Sequence, residues 1–115
     1  MVNSRYKGNR TKNSAKRYFE HLGYLVGNTE FVTKYSKESD LFGLFDLIGI
    51  HPLHGILLIQ VKTNKPALRK SYLDFTRVYP CHCCCITWYN YRGWVLQYYK
   101  GGDLYLTEDL RKGQT

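Results

Sequence analysis

The stretch LFDLIGIHPLHGILLIQVK, residues 44–62, decides the fold expected of this chain. Residues 44–50 and 56–62 are almost continuously apolar, which is typical of strands that are covered on both faces of a sheet. Between them, residues 51–55 contain the proline and glycine of a turn, so the two strands should form a hairpin. We therefore expect a sheet with this hairpin at its centre.

Polar side chains interrupt the two apolar strands. Asp46 and Gln60 are flanked by apolar residues, and burying such groups costs free energy unless each finds a partner. The turn is expected to make Ile50 face Ile56. In that register Asp46 faces Gln60 on one side of the sheet, with Cβ atoms about 5 Å apart. Lys62, two residues beyond Gln60, shares that side.

These three side chains carry the groups needed for metal-assisted hydrolysis of a phosphodiester. A carboxylate and an amide carbonyl are hard oxygen ligands of the kind Mg²⁺ takes, and the backbone carbonyl of Val61 lies between Gln60 and Lys62. The Lys62 ammonium group can orient the attacking water or help to deprotonate it. In the alternative, structural interpretation, Asp46 pairs with Lys62 in the core and Gln60 bonds to the backbone. The spacing alone leaves both open.

A helix and a strand are predicted before the hairpin. Apolar residues recur at helical spacing over residues 9–22, and Gly23 is in the usual position to end that helix. Residues 24–26 begin a strand, and a polar segment runs from about residue 28 to residue 42.

A second helix and two further strands are predicted after the hairpin. Asn64, with a proline two residues later, indicates a helix N-cap, and Pro80 should end that helix. Residues 83–89 and 94–99 are expected to be strands, and the glycines at 101–102 to end the last one. The predicted order is α-β-β-β-α-β-β, an α/β fold with a central mixed sheet flanked by helices.

Length and charge restrict the class of protein. The 115 residues suffice for one core and not for two ordinary domains, so we expect a single domain over residues 1–115. Seventeen Lys and Arg against nine Asp and Glu give a net charge of +8, which favours nucleic acid as partner. No stretch has the about 20 apolar residues of a membrane span, and a secretory signal is lacking. The expected location is the cytoplasm, at the nucleoid, or the host cytoplasm for a viral protein.

Basic residues are concentrated near the N-terminus and directly after residue 62. The first group is either a flexible, solvated arm over residues 1–8 or a DNA contact, and the second is either a DNA contact or a solvated helix face. The residues expected to bind DNA are Arg5, Lys7, Arg10, Lys12, Lys65, Arg69 and Lys70.

Three segments carry a family resemblance. RTKNSAKRYFEHLGYLV, FDLIGI and GILLIQVKTN resemble the first helix, the aspartate strand and the (E/Q)xK strand of archaeal and phage Holliday junction resolvases in the PD-(D/E)xK nuclease superfamily. The resemblance covers roughly residues 7–64. It implies a restriction-endonuclease-like fold with Asp46 as metal-binding aspartate, Gln60 as the ligand that is usually glutamate, and Lys62 as catalytic lysine.

The resemblance also implies an activity and an assembly. The expected protein is a Mg²⁺-dependent endonuclease, with Mn²⁺ as a substitute, that cuts branched DNA as a homodimer in recombination and repair. The alternatives are a catalytically inactive DNA-binding module of the same fold and a nuclease for linear, nicked or flapped DNA of restriction or repair type.

One position departs from the family pattern. The first helix of these enzymes usually offers a glutamate to the metal, and the aligned residue here is Lys12. Because Gln60 is neutral as well, the site should hold Mg²⁺ weakly until DNA phosphates join it. The acidic residues of the preceding polar segment that are candidates to complete it are Glu30, Glu38 and Asp40.

Other patterns have simpler explanations than a site. The CHCCC segment at residues 81–85 lacks the second pair of ligands typical of structural zinc, so a strand with buried, reduced cysteines is favoured. His51 and His54 are expected to be solvent-facing turn residues. The aromatic residues of the last two predicted strands should pack in the core or a dimer, although stacking on unpaired bases stays open.

Overall fold

The chain is organised around a mixed β-sheet. This is a computed structural model in which residues 4–29, 31–33, 36–39 and 41–111 are described. The helices are α1 (Ser4–His21) and α2 (Arg69–Val78). The strands are β1 (Leu25–Asn28), β2 (Phe31–Thr33), β3 (Ser36–Ser39), β4 (Leu47–His51), β5 (Gly55–Thr63), β6 (His82–Tyr89), β7 (Gly93–Lys100) and β8 (Asp103–Arg111).

Strand order places the predicted hairpin inside the sheet. The order is β1-β4-β5-β6-β7-β8, and β2 and β3 form a separate two-stranded ribbon. β5 and β6 run parallel and are joined through α2, while the other neighbours are antiparallel. No helix in the described part of the chain is long and apolar enough to cross a lipid bilayer.

The hairpin of β4 and β5 has the predicted register from Leu47 to the turn, and the predicted Asp46–Gln60 pair lies beyond the end of the ladder. Ile50 pairs with Ile56, and the last pair of the ladder is Leu47 with Ile59. In the turn, the ring nitrogen Nδ1 of His51 accepts hydrogen bonds from the following backbone, including one of 3.0 Å from the N–H of Leu53. His51 is therefore a half-buried structural residue, which corrects the prediction of a solvent-facing side chain.

A helix covers each face of the sheet. Ala15 and Phe19 of α1 are fully buried in one core cluster, and Tyr72 of α2 is buried in the other. Alternate residues of β6 divide between the two cores, because Cys84 lies in the α1 core and its neighbours Cys83 and Cys85 lie in the α2 core. Cys83, Cys84 and Cys85 therefore lie buried in a strand, as favoured from the sequence, while Cys81 precedes β6 and is half-buried with His82.

Helix α1 ends at the predicted glycine. Gly23 has φ +99°, and its N–H donates to the carbonyl of Glu20 at 3.0 Å. The N–H of Tyr24 donates to the carbonyl of Phe19 at 3.1 Å, and the two aromatic rings meet edge to face. These contacts form a Schellman motif with its usual apolar contact, which directs the chain into β1.

The start of α2 differs from the prediction. Asn64 does not cap the helix: it has φ +58°, its N–H donates to the carbonyl of Trp88 at 2.7 Å, and its side-chain oxygen accepts the N–H of Asn90 at 3.0 Å. The helix begins only at Arg69, after Leu68, which makes no side-chain cap. Asn64 therefore links the end of β5 to the β6–β7 turn through these hydrogen bonds.

Five further elements differ from the prediction, either in being present or in where they begin. Strand β8 was not predicted, because the glycines at 101–102 form a turn with positive φ instead of ending the sheet. The polar segment before β4, for which no strand was predicted, contains β2 and β3, and β4 begins at Leu47 and not at residue 44. Helix α1 begins at Ser4, so residues 4–8 of the expected flexible arm have helical backbone, while residues 1–3 lie outside the described residues.

Candidate active site

Asp46 lies one residue before β4, at the point where the β4–β5 ladder ends. Its N–H donates to the carbonyl of Ile59 at 2.8 Å, and its carbonyl accepts the N–H of Thr29 at 2.9 Å. Its carboxylate oxygen Oδ2 accepts the N–H of Val61 at 2.9 Å. The carboxylate thus accepts a backbone N–H of β5, as backbone carbonyls of β4 do along the ladder. This brings the carboxylate to the backbone between Gln60 and Lys62.

Gln60 and Lys62 lie on the face of the sheet against which α2 packs. Both alternate in step with Leu58, which is buried in the α2 core, and both are half-buried. The amide oxygen Oε1 of Gln60 is buried and has no hydrogen-bond partner among the described residues. An unsatisfied buried acceptor costs about 1–3 kcal/mol, so this oxygen lacks a ligand or donor that would offset that cost.

The Lys62 side chain lies near the buried thiols of β6. Burial, with a smaller contribution from Cys83, raises the pKa of the Cys85 thiol far above its ordinary value. The positive charge of Lys62 acts in the opposite direction on that pKa. Strand alternation places Lys62 on the same face of the sheet as Cys85, because Gln60 pairs with Cys85. Burial likewise raises the pKa of Cys83 to about 12, so these cysteines are neutral packing residues and not nucleophiles.

Helix α1 reaches the same end of β5 from the opposite face. The hydroxyl groups of Thr11 and Thr63 are 3.0 Å apart, and Thr63 directly follows Lys62. Lys12, the residue at the family's glutamate position, is half-buried and adjacent to Thr11. The structure therefore places a basic side chain of α1 at the end of β5 where the resemblance implies an acidic one.

The predicted DNA-binding residues with described side chains are grouped at this end of the sheet. Lys65 follows β5, and Arg69 and Lys70 form the first turn of α2; all three are exposed. Arg10, also exposed, lies on α1 one residue before Thr11. The side chains of Arg5 and Lys7 lie outside the described residues, and only their helical backbone is given.

The acidic candidates to complete the site belong to the segment before β4. Glu30 and Asp40 lie outside the described residues, and of Glu38 only the backbone in β3 is described. Among the side chains that are described, no group of three or more His, Cys, Asp or Glu has the geometry to hold a metal ion.

The oxygen atoms at this end of the sheet fit a hard, weakly held cation. Asp46 supplies a carboxylate, and Gln60 Oε1 supplies a neutral oxygen that accepts no hydrogen bond from the described part of the chain. The carbonyl of Val61 belongs to the residue whose N–H binds Asp46. Mg²⁺ and Mn²⁺ take such ligands and usually keep several waters or substrate oxygens in their shell.

Two residues that position Asp46 escaped the sequence analysis. The Thr29 hydroxyl donates to the carbonyl of Phe45 at 2.6 Å, and the Tyr72 hydroxyl donates to the carbonyl of Leu44 at 2.9 Å. Both contacts hold the two residues before Asp46. They join segments 16 and 28 residues apart, so no local pattern could have revealed them.

The fold is restriction-endonuclease-like, as expected from the resemblance. It is defined by the strand order, by a helix on each face of the sheet and by Asp46 next to the strand that carries Lys62. A solved structure shares it: Archaeoglobus fulgidus Hjc, a Holliday junction resolvase from an archaeal hyperthermophile, matches with a TM-score of 0.52. The match covers 90% of this chain and 80% of that chain at 16% sequence identity, and it establishes the fold. No protein-family model and no curated protein matches the chain.

Proposed function

We propose that this protein is a metal-dependent endonuclease that hydrolyses phosphodiester bonds in branched DNA, with the four-way junction as its principal substrate. The carboxylate of Asp46, bound to the β5 backbone between Gln60 and Lys62, is the observation that carries this proposal. Two further observations support the proposal: the fold is shared with a Holliday junction resolvase, and the chain has a net charge of +8.

Each residue of the trio has a role in the proposed reaction. Asp46, Gln60 Oε1 and the Val61 carbonyl hold Mg²⁺ or Mn²⁺, which supplies Lewis-acid activation of the phosphodiester when bound. Lys62 donates hydrogen bonds to a phosphate oxygen and stabilises the negative charge that develops there. The hydrogen bond from Val61 keeps the Asp46 carboxylate oriented before DNA arrives.

Lys65, Arg69, Lys70 and Arg10 hold the DNA backbone beside the cutting site. Phosphate contacts of this kind position the duplex without reading its sequence. They also release counterions, so DNA affinity should fall steeply as salt concentration rises.

The proposed activity is tested by cleavage of labelled four-way junctions at one salt concentration, beside linear, nicked and flapped DNA. We expect paired nicks in the junction with Mg²⁺ or Mn²⁺ and no cutting with a chelator. Equal cutting of all substrates would assign a general nuclease instead. Junction binding without cutting in either metal would identify an inactive binding module, the alternative raised by Lys12 and Gln60 at positions where the family usually has glutamate.

We further propose that two copies pair through an apolar row on the sheet. Leu25, Ile50 and Ile56 are paired across β1, β4 and β5, and they are 75%, 47% and 56% exposed. A continuous exposed row of this kind marks an interaction surface. A two-fold pair would also supply two symmetric cutting sites, one for each of two opposed strands.

Ile50→Lys is expected to convert a dimer into a monomer, because a charge in the middle of the row cannot be desolvated against its symmetry mate. Sedimentation equilibrium of both proteins measures the change. Leu106→Lys, at an exposed position of β8, is the matched control and should remain dimeric. A monomeric unaltered protein would contradict the proposed dimer but not the proposed cutting site.

Gln60→Glu is expected to strengthen binding of Mg²⁺ by placing a second carboxylate beside Asp46. Without metal, two nearby carboxylates at a half-buried position should lower stability; with Mg²⁺ the melting temperature should rise by several degrees more than in the unaltered protein. Thermal unfolding with and without Mg²⁺ measures this. Gln97→Glu is the control, because Gln97 lies on the same face of the sheet but two strands, or about 10 Å, away from Gln60. Mg²⁺ should raise the melting temperature of this variant no more than that of the unaltered protein.

A further inference from the structure

The turn between β6 and β7 presents an aromatic side chain that the fold does not bury. Tyr91 is 83% exposed, and its ring centroid is 6.0 Å from that of Tyr89 at an interplanar angle of 52°. The turn needs only a polar residue and a glycine, which Asn90 and Gly93 supply. Neither turn geometry nor packing therefore accounts for a large aromatic ring at position 91.

This turn lies at the same end of the sheet as the proposed cutting site. β5 and β6 are parallel neighbours, with Lys62 beside Thr87 and Thr63 beside Trp88. Asn64 then connects the end of β5 to the turn, since its side-chain oxygen accepts the N–H of Asn90. Tyr91 is the next residue, so its backbone is held at a set distance from Lys62.

The base of the turn is held on several sides. The Trp88 indole N–H donates to the Asn90 side chain at 3.1 Å, and the Trp88 ring meets Trp94 at 5.1 Å. Arg92 bonds to Asp109 through Nε at 3.1 Å and through a second nitrogen, with its guanidinium group 6.0 Å from the Tyr89 ring. These contacts hold the backbone that carries Tyr91, so the turn itself does not have to become ordered on binding.

We propose that Tyr91 stacks on an unstacked base at the branch point of bound DNA, which would make the turn the part of the protein that detects branched structure. This inference rests on the proposed function. The nearby cations Lys62 and Lys65 attract the phosphate backbone, and in a continuous duplex every base is already stacked. An exposed ring gains a partner only where base stacking is interrupted, and such stacking does not depend on which base is present.

The test measures binding in a chelator, so that nothing is cut, using a four-way junction that carries 2-aminopurine at the branch and a linear duplex of equal length. Tyr91→Ala and Tyr91→Leu should weaken junction binding about tenfold and abolish the 2-aminopurine quenching, while Tyr91→Trp should keep both. Linear duplex binding should not change. Tyr105→Ala, an exposed tyrosine at the opposite end of the sheet, is the matched control and should bind like the unaltered protein.

Unchanged junction binding by Tyr91→Ala, or an equal loss on linear duplex, would overturn the stacking role. In either case the unaltered protein would still cut junctions, and the proposed function would stand. Failure of the unaltered protein to bind or cut junctions would instead reject the proposed function together with this inference.

Discussion

Asp46→Ala is expected to lower the single-turnover rate of junction cleavage by about a thousandfold or more. The substitution removes the one carboxylate that the described residues place at the site, and metal activation contributes several kcal/mol to such reactions. It also leaves the N–H of Val61 without its acceptor. Cleavage of labelled four-way junctions with enzyme in excess measures the rate.

Asp46→Asn separates these two effects. The amide oxygen can still accept the Val61 N–H, so the fold should be retained, while the missing charge should weaken metal binding and reduce cleavage almost as much. Asp103→Ala, at an exposed position where β8 begins, is the matched control and should cut normally. Cleavage that persists in Asp46→Ala would remove Asp46 from the site.

Phe45→Ala is expected to lower the free energy of unfolding by about 3–5 kcal/mol. The ring is fully buried and meets Tyr72 and Phe75 edge to face at 5.8 and 5.3 Å, so its removal leaves a cavity under α2. Urea denaturation followed by circular dichroism measures the loss. Cleavage should also fall at temperatures where the protein stays folded, because Phe45 precedes Asp46 and its carbonyl accepts the Thr29 hydroxyl.

Phe42→Ala is the matched control for this cavity. Phe42 is 67% exposed and touches the same neighbour, Phe75, at 5.9 Å. Its truncation removes little buried area and should cost less than about 1 kcal/mol. Equal losses at the two positions would mean that burial of Phe45 does not stabilise this part of the chain.

The hairpin register and the position of Gln60 and Lys62 on one face of the sheet were predictable because they follow from short-range rules. Once Ile50 faces Ile56, the two-residue repeat of a strand determines which side chains share the α2 face. The buried strands β5 and β6 have the continuous apolar sequence that such rules detect. The end of α1 at Gly23 was equally predictable, because a glycine just after the last helical residues commonly ends a helix.

The features that escaped prediction depend on contacts distant in sequence. Asn64 and the following proline fit a helix cap locally, and bonds to Trp88 and Asn90, contributed by the β6–β7 region, decide otherwise. Strand β8 is an edge strand whose side chains are mostly exposed, so it lacks the apolar run that marks β5. The support of Asp46 by Thr29 and Tyr72 is likewise long-range.

The bond from Val61 to Asp46 makes one backbone amide a spectroscopic reporter. The amide proton of Val61 is hydrogen-bonded to the carboxylate that would coordinate a cation. Its nitrogen–proton resonance should therefore shift when a bound cation withdraws electron density from that carboxylate. Titrating an isotope-labelled sample with Mg²⁺ would follow that single peak. Occupancy of the centre could then be read in the absence of nucleic acid and before any turnover occurs.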